Sequence, residues 1–133
     1  MDHGLRTLVR DRAQNYCEYC GLHQDAEPHY RFHIEHIIAR QHGGPTESSN
    51  LALACYYCNL NKGPNLTAID PETQQVVPLF HPRKDRRDQH FRADGPAVVG
   101  LTAIGRATSR LLKMNALDRL ELRSESEGSL EKG

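Results

Sequence analysis

Four cysteines fall into two matching pairs, Cys17-Glu18-Tyr19-Cys20 and Cys55-Tyr56-Tyr57-Cys58. Two residues between thiolates let both sulfurs reach one ion at about 2.3 Å, and two such pairs complete a tetrahedral zinc site. A closed four-sulfur site has no position for water, so its zinc is expected to fold the chain rather than catalyse. The competing readings are reduced buried cysteines or a redox pair; a redox or zinc-storage protein would show reactive thiols and no dependence on Glu35 or His36.

The 34 residues between the pairs exceed the spacing of the commonest zinc ribbons, so a further unit is expected there. They hold His33-Ile34-Glu35-His36-Ile37-Ile38, then Gly43-Gly44, then Asn50-Leu51-Ala52-Leu53, with Cys58-Asn59 closing the run. Phosphodiester hydrolysis needs an activated water and a counter-charge for the oxygens. A His near neutral pKa suits the first task and a divalent ion the second. Singly these residues say little. Most of the eight His are expected to be surface or satisfied core residues, Asn59 could cap a helix, and Asn50 could be an ordinary turn residue.

In combination the run resembles the HNH endonuclease family. The likeness lies in the acidic-His-Ile step, the Gly-Gly loop, the Asn-Leu pair and the Asn after the last cysteine. The spacing fits as well, with Asn50 14 residues after His36 and Asn59 9 residues after Asn50. The likeness covers about residues 5–66, and a fainter one continues through Leu79-Phe80-His81-Pro82-Arg83 and Gly105-Arg106-Ala107-Thr108. It implies an α+β fold: a small ββα-metal (His-Me finger) core with a zinc knuckle, flanked by an N-terminal helix and short C-terminal helices. It implies His36 as general base, Glu35 and Asn59 as ligands of a catalytic ion, and Asn50 orienting His36 or tying its loop to the strand. Cleavage leaving a 5′-phosphate follows from the same likeness. Two oxygen donors favour Mg²⁺ or Mn²⁺ over a second zinc. The last motif position is often His in the family; Asn59 there moves the choice away from zinc or nickel. His33, two residues before Glu35, shares its strand face and is an optional third ligand or phosphate contact. Glu35 and His36 are adjacent and would point to opposite faces of a regular strand, so irregular backbone is expected at residues 35–37. Lys62 is read as a phosphate contact or plain surface, and His42 as loop.

The elements that must position these groups follow from periodicity. Leu5, Leu8, Val9 and Ala13 trace a short amphipathic helix ending near Asn15. Tyr30, Phe32 and Ile34 alternate with Arg31 and His33, a strand pattern ending around 35–38. Residues 50–54 read as a second strand and 55–62 as a helix stopped by Gly63-Pro64. Residues 65–80 read as loop and hairpin, turning at Asp70-Pro71-Glu72-Thr73. Gly95-Pro96 breaks the chain. Ile104, Thr108, Leu111 and Leu112 trace a helical face, and Asn115 with Asp118 is read as the cap of a second helix through Leu122. One HNH domain over 1–123 is expected, with its active core at about 15–66 and a disordered tail at 124–133.

The composition bounds the function. With 38% hydrophobic residues and no Trp, the core is thin and a metal staple would help. No run spans a bilayer, and residues 1–10 lack an apolar signal core, so a cytoplasmic protein is expected. Net charge is zero, unlike a strongly basic nucleic-acid binder. Arg83, Lys84, Arg86, Arg87 and Arg92 form a local cluster that would touch phosphates or lie in a solvated loop. DNA is the expected partner, by resemblance, and weak intrinsic affinity leaves room for a recruiting protein or a homodimer. The alternative is a non-catalytic zinc module binding nucleic acid or protein, in which His36→Ala would change nothing.

Overall fold

The computed structural model describes residues 1–125. Helix α1 spans His3–Ala13, capped by Asp2, whose carboxylate accepts from the Leu5 amide at 2.7 Å. It ends where Gln14 and Asn15 take left-handed backbone. Only Val9 is fully buried on this helix; Leu5 and Ala13 pack at its margin and Leu8 stays exposed. The buried stripe is thus narrower than the apolar spacing suggests. The first knuckle follows, its turn closed by Cys17 N–H to Leu22 O at 2.7 Å and Gly21 N–H to Cys17 O at 3.0 Å, with Gly21 at φ 82. That positive φ is why glycine stands there.

Strand β1 (His33–His36) pairs antiparallel with β2 (Leu51–Ala54), placing His33 opposite Ala54 and His36 opposite Leu51. The strand starts three residues later than the alternation from Tyr30 indicates. Gln24 explains this: its amide accepts from Phe32 N–H at 2.7 Å and donates to Tyr30 O at 3.1 Å, taking backbone groups a ladder would need. The expected irregularity at 35–37 is corrected too. Pairing is regular through His36, and the chain bends only at Ile37 and Ile38.

Helix α2 (Tyr56–Lys62) follows β2 at once, with Cys55 as N-cap and Gly63 as C-cap. β1, β2 and α2 form the ββα unit. Two further hairpins and two longer helices enclose it. β3 (Thr67–Ile69) and β4 (Val76–Pro78) pair across the expected turn. A short helix α3 (Arg87–His90) leads into β5 (Phe91–Asp94), which pairs with β6 (Ala97–Gly100). Gly95-Pro96, read from sequence only as a break, is the turn of that hairpin. α4 (Ala103–Leu111) packs on β6, β3 and β4, and α5 (Leu117–Glu125) on the turn at Gln24–Ala26.

Two side chains anchor this outer layer. Asp70, fully buried, accepts from the Thr73 hydroxyl and takes a two-pronged bond from Arg106 at 2.9 Å, tying the β3–β4 turn to α4. Asn115 does not cap a helix. Its amide donates to Val98 O and accepts from Val98 N–H, both at 2.8 Å, holding β6 as a missing strand would. Ser124 and Glu125, expected in a disordered tail, belong to α5, and the rest of that expectation, 126–133, lies outside the described residues. One buried cluster runs from Val9 through the cysteines and Leu51–Ala54 to Phe80, Phe91, Leu112 and Met114, joining both halves of the chain.

Candidate functional site

The four cysteines converge. All are buried and free of disulfides, and their sulfurs lie within 4.8 Å of one another. Cys20 Sγ and Cys55 Sγ are 3.8 Å apart. A tetrahedron with metal–sulfur bonds of about 2.3 Å has an edge of about 3.8 Å, so the cage fits zinc. Backbone amides already serve the sulfurs: Cys20 N–H lies 3.5 Å from Cys17 Sγ and Cys58 N–H 3.4 Å from Cys55 Sγ. These bonds form because each pair turns within one knuckle or one helix start. Zinc here would join the N-terminal knuckle to the head of α2.

Arg119, which the sequence reading left unassigned, completes this centre. It is 2% exposed, and its guanidinium donates to Cys58 Sγ at 3.0 Å and lies 3.6 Å from Cys55 Sγ. It also donates to Leu112 O and Lys113 O and lies over the Tyr57 ring. Burial works against its charge, but the Cys58, Cys20 and Cys55 sulfurs outweigh burial and hold it ionised. A four-thiolate zinc centre carries a net charge of about −2, and a buried cation beside it offsets part of that. No local pattern marks Arg119; only the docking of α5 brings it there.

On the hairpin, Glu35 and His36 point to opposite faces, as the regular pleat requires. Glu35 turns inward and is 7% exposed. Tyr19 donates its hydroxyl to Glu35 Oε1, and the Lys62 ammonium stands 3.9 Å from Oε2. Burial raises the carboxyl pKa to about 7, against the opposing pull of Lys62 and the Tyr19 hydroxyl. Lys62 is neither a phosphate contact nor plain surface: it is 1% exposed and donates to Ile37 O at 2.8 Å.

His36 faces the other way, half-buried, with Nε2 2.8 Å from the Thr46 hydroxyl. Burial, then the nearby Arg40 charge, depress its pKa below the ordinary imidazole value. Asn50 is buried and binds backbone on three sides: it accepts from Ile38 N–H at 2.9 Å and donates to Ile38 O at 3.0 Å and Pro45 O at 2.9 Å. It thereby folds the loop that carries Thr46 back against the end of β1. Gly44 is required by the same loop, since a Cβ there would fall 1.7 Å from Ile38 O. Asn59 is half-buried on α2, and its side chain makes no hydrogen bond among the described residues. His33 is exposed, its ring 6.4 Å from that of Tyr56. His42 bonds Pro64 O at 3.1 Å. Among the described residues, the cysteines are the one cluster of three or more His, Cys, Asp or Glu within ligating distance.

The expected basic cluster at 83–92 is largely consumed by the fold. Arg83 pairs with Glu18, Arg87 donates to Tyr19 O and lies over Phe91, and Arg86 pairs with Asp88. Lys84 and Arg92 make no ion pair among the described residues. Three further arginines without an ion pair gather elsewhere. Arg6 and Arg10, four apart on α1, lie near Arg31 at the approach to β1, and none has an ion-pair partner among the described residues. The i, i+4 spacing of Arg6 and Arg10 is a visible sign of one face; the arrival of Arg31 is not.

A hairpin and helix stapled by four cysteines, with an acidic-His step ending the first strand, define a ββα nuclease-type unit. The HNH endonuclease family model matches residues 17–65, and this segment is an HNH domain. Such domains are typically nucleases that act on nucleic acid. Over 118 residues the chain is 25% identical to Septu protein PtuB of Bacillus thuringiensis, a match covering 87% of this chain and 43% of that protein. The chain therefore spans less than half of that relative's length. No solved structure matches the chain. No helix among the described residues is long and apolar enough to cross a membrane.

Proposed function

We propose that the protein is a metal-dependent endonuclease that hydrolyses DNA phosphodiesters, with His36 as general base. The observation that carries this reading is the imidazole at the end of β1, held 2.8 Å from Thr46 Oγ1 inside an HNH domain. With the Nε2 proton donated to Thr46, Nδ1 keeps its lone pair and takes a proton from water. The water oxygen bonds phosphorus as the P–O3′ bond breaks. The leaving O3′ takes a proton from a solvent water, the imidazolium returns its proton to solvent, and a 5′-phosphate and 3′-hydroxyl remain.

Glu35 and Asn59 offer a carboxylate and an amide oxygen, donors suited to Mg²⁺ or Mn²⁺. A bound ion there would stabilise negative charge on the phosphate oxygens. Glu35 leaves β1 on the face opposite His36 and is paired with Tyr19 and Lys62, so this arrangement does not fit an ion shared with a phosphate at His36; its service as a ligand requires the end of β1 to turn and the Lys62 ammonium to withdraw. His33, exposed and two residues before Glu35 on β1, is the optional third ligand or a phosphate contact. The four-sulfur zinc stays structural. Buried free thiols suit a reducing compartment such as the cytoplasm. Zero net charge favours recruitment to DNA by a protein partner or a second copy.

The test is nicking of supercoiled plasmid by zinc-loaded protein with Mg²⁺, with Mn²⁺ and with neither. His36→Ala is expected to lose about 10²- to 10⁴-fold in rate while keeping its melting curve. Undiminished nicking by that variant removes the assigned base. The buried, already paired state of Glu35 favours one second reading, a zinc-stabilised binding module without catalysis. That reading predicts no metal-dependent nicking by the wild type.

A further inference from the structure

β1 belongs to a two-stranded sheet, so its outer edge has no neighbouring strand. Two unusual groupings meet where that edge begins. The first is cationic. Arg6, Arg10 and Arg31 crowd together without a carboxylate partner among the described residues. Burial lowers the Arg10 pKa, and the charges of Arg31 and Arg6 lower it further. Arg10 is anchored, donating to Phe32 O at 3.0 Å. Arg6 and Arg10 line a cavity of about 240 Å³ with Met1, Phe32, His33 and Ile34. Like charges held together with no counter-ion are a cost that an anionic ligand relieves.

The second grouping is aromatic. Tyr30 stacks on Tyr56 with centroids 4.1 Å apart and an 11° interplanar angle, and Tyr57 meets both edge-on. Tyr30 remains 42% exposed, although the chain has only five Tyr, three Phe and no Trp with which to build its core. His33 lies between the groupings, lining the arginine cavity and approaching Tyr56 to 6.4 Å. Tyr56 is three residues before Asn59 on α2, so the two are neighbours on one helix face.

Guanidinium groups beside an open aromatic stack are what a single nucleic-acid strand engages: phosphates on the cations, a base on the ring. We propose that Arg6, Arg10, Arg31 and the Tyr30–Tyr56 stack bind a single-stranded segment of the nucleic acid and lead it along the free edge of β1 to His36. The inference rests on the nuclease reading for its direction, because the strand must end at the general base. His33 and His36 are three residues apart, about 10 Å along a strand. A duplex cannot present an unpaired base to the ring, so single-stranded or splayed DNA is the substrate form this surface selects.

The test measures binding of a fluorescent oligo-dT 12-mer to full-length, zinc-loaded protein without added Mg²⁺ or Mn²⁺, over a range of salt. Arg6→Gln with Arg31→Gln, both at exposed positions, is expected to reduce the log–log salt slope by about 1.4, near 0.7 for each phosphate no longer neutralised. Tyr30→Leu is expected to weaken the 12-mer about tenfold with the slope unchanged. The same variant should leave binding of heparin, a polyanion without bases, where it was. Unaltered slope in the double Arg variant, or equal losses for 12-mer and heparin in Tyr30→Leu, would overturn the proposal. Cleavage of circular single-stranded DNA and of supercoiled plasmid by the same proteins, with Mg²⁺ or Mn²⁺ added, separates the two ideas. Altered binding with no cleavage of either DNA by the wild type rejects the nuclease while leaving the surface standing. Normal cleavage with unaltered binding rejects the surface alone.

Discussion

The two ends of α2 make contrasting polar centres. At its head, Cys55 and Cys58 meet Cys17 and Cys20 with four sulfurs aimed at one point. At its tail, Lys62 fills the space beside Glu35, and Tyr19 takes the other carboxylate oxygen. The first centre is assembled for an ion; the second already contains its own cation. Thiolates at CxxC spacing have few alternatives to a shared metal, whereas a buried carboxylate is satisfied by any nearby donor. A structural ion must be present for the fold to persist.

The sharpest way to break this contrast is to remove the first centre. Cys17→Ser with Cys58→Ser, or chelation of zinc, should abolish the cooperative melt, since structural zinc supplies about 10–16 kcal/mol of apparent binding energy. A zinc-free protein with an unchanged melting curve would show that the cage is ornamental.

Arg119→Met probes the same centre more gently. It strips the guanidinium from two sulfurs and two carbonyls and is expected to cost about 3–5 kcal/mol by chemical denaturation. Arg119→Lys should recover part of the charge but not the forked geometry. Equal stability of Met and wild-type proteins would mean that α5 docks independently of the thiolates.

Lys62→Met tests the second centre. Glu35 ionises at about 7 when folded, above the ordinary carboxyl value of 4.5. The folded state therefore binds more protons than the unfolded state between those values, and stability falls as pH rises through that window. Without Lys62 the folded value climbs higher, so the variant should lose more stability at pH 8 than at pH 5, read from urea midpoints. A pH-independent loss would mean that Lys62 matters only for packing. Glu35→Gln should flatten the profile.

The smallest effect concerns His36. Burial and the Arg40 charge both lower its pKa, so the acidic limb of the nicking profile should lie below 6.5. Arg40→Ala removes one of the two causes and should move that limb upward. A limb that stays in place would assign the titration to another group.

Much of the inner unit was legible because its signals are local. The CxxC pairs, the Gly63 stop, the alternating residues of the hairpin and the Asp70–Thr73 turn each act within a few residues. The start of β1 was misplaced because Gln24, from a separate loop, takes the backbone groups of Tyr30 and Phe32. The β5–β6 hairpin was missed because Gly95-Pro96 reads equally as a break and as a turn. The charge run at 83–92 was left between two readings because Arg83 and Arg87 find Glu18, Tyr19 and Phe91 only after the chain folds back.

Sequence alone determined the ligands of the metal cage, because chelation by CxxC depends on bond lengths and on a turn built from adjacent residues. It also determined the spacing of the acidic-His-Asn run that marks an HNH domain. Tertiary structure decided which cations remain unpaired, that Arg119 rests on the thiolates, and that Lys62 occupies the space beside Glu35. Those outcomes depend on charges distant in sequence meeting at a few ångströms in a poorly screened interior. No nearest-neighbour pattern encodes such a meeting.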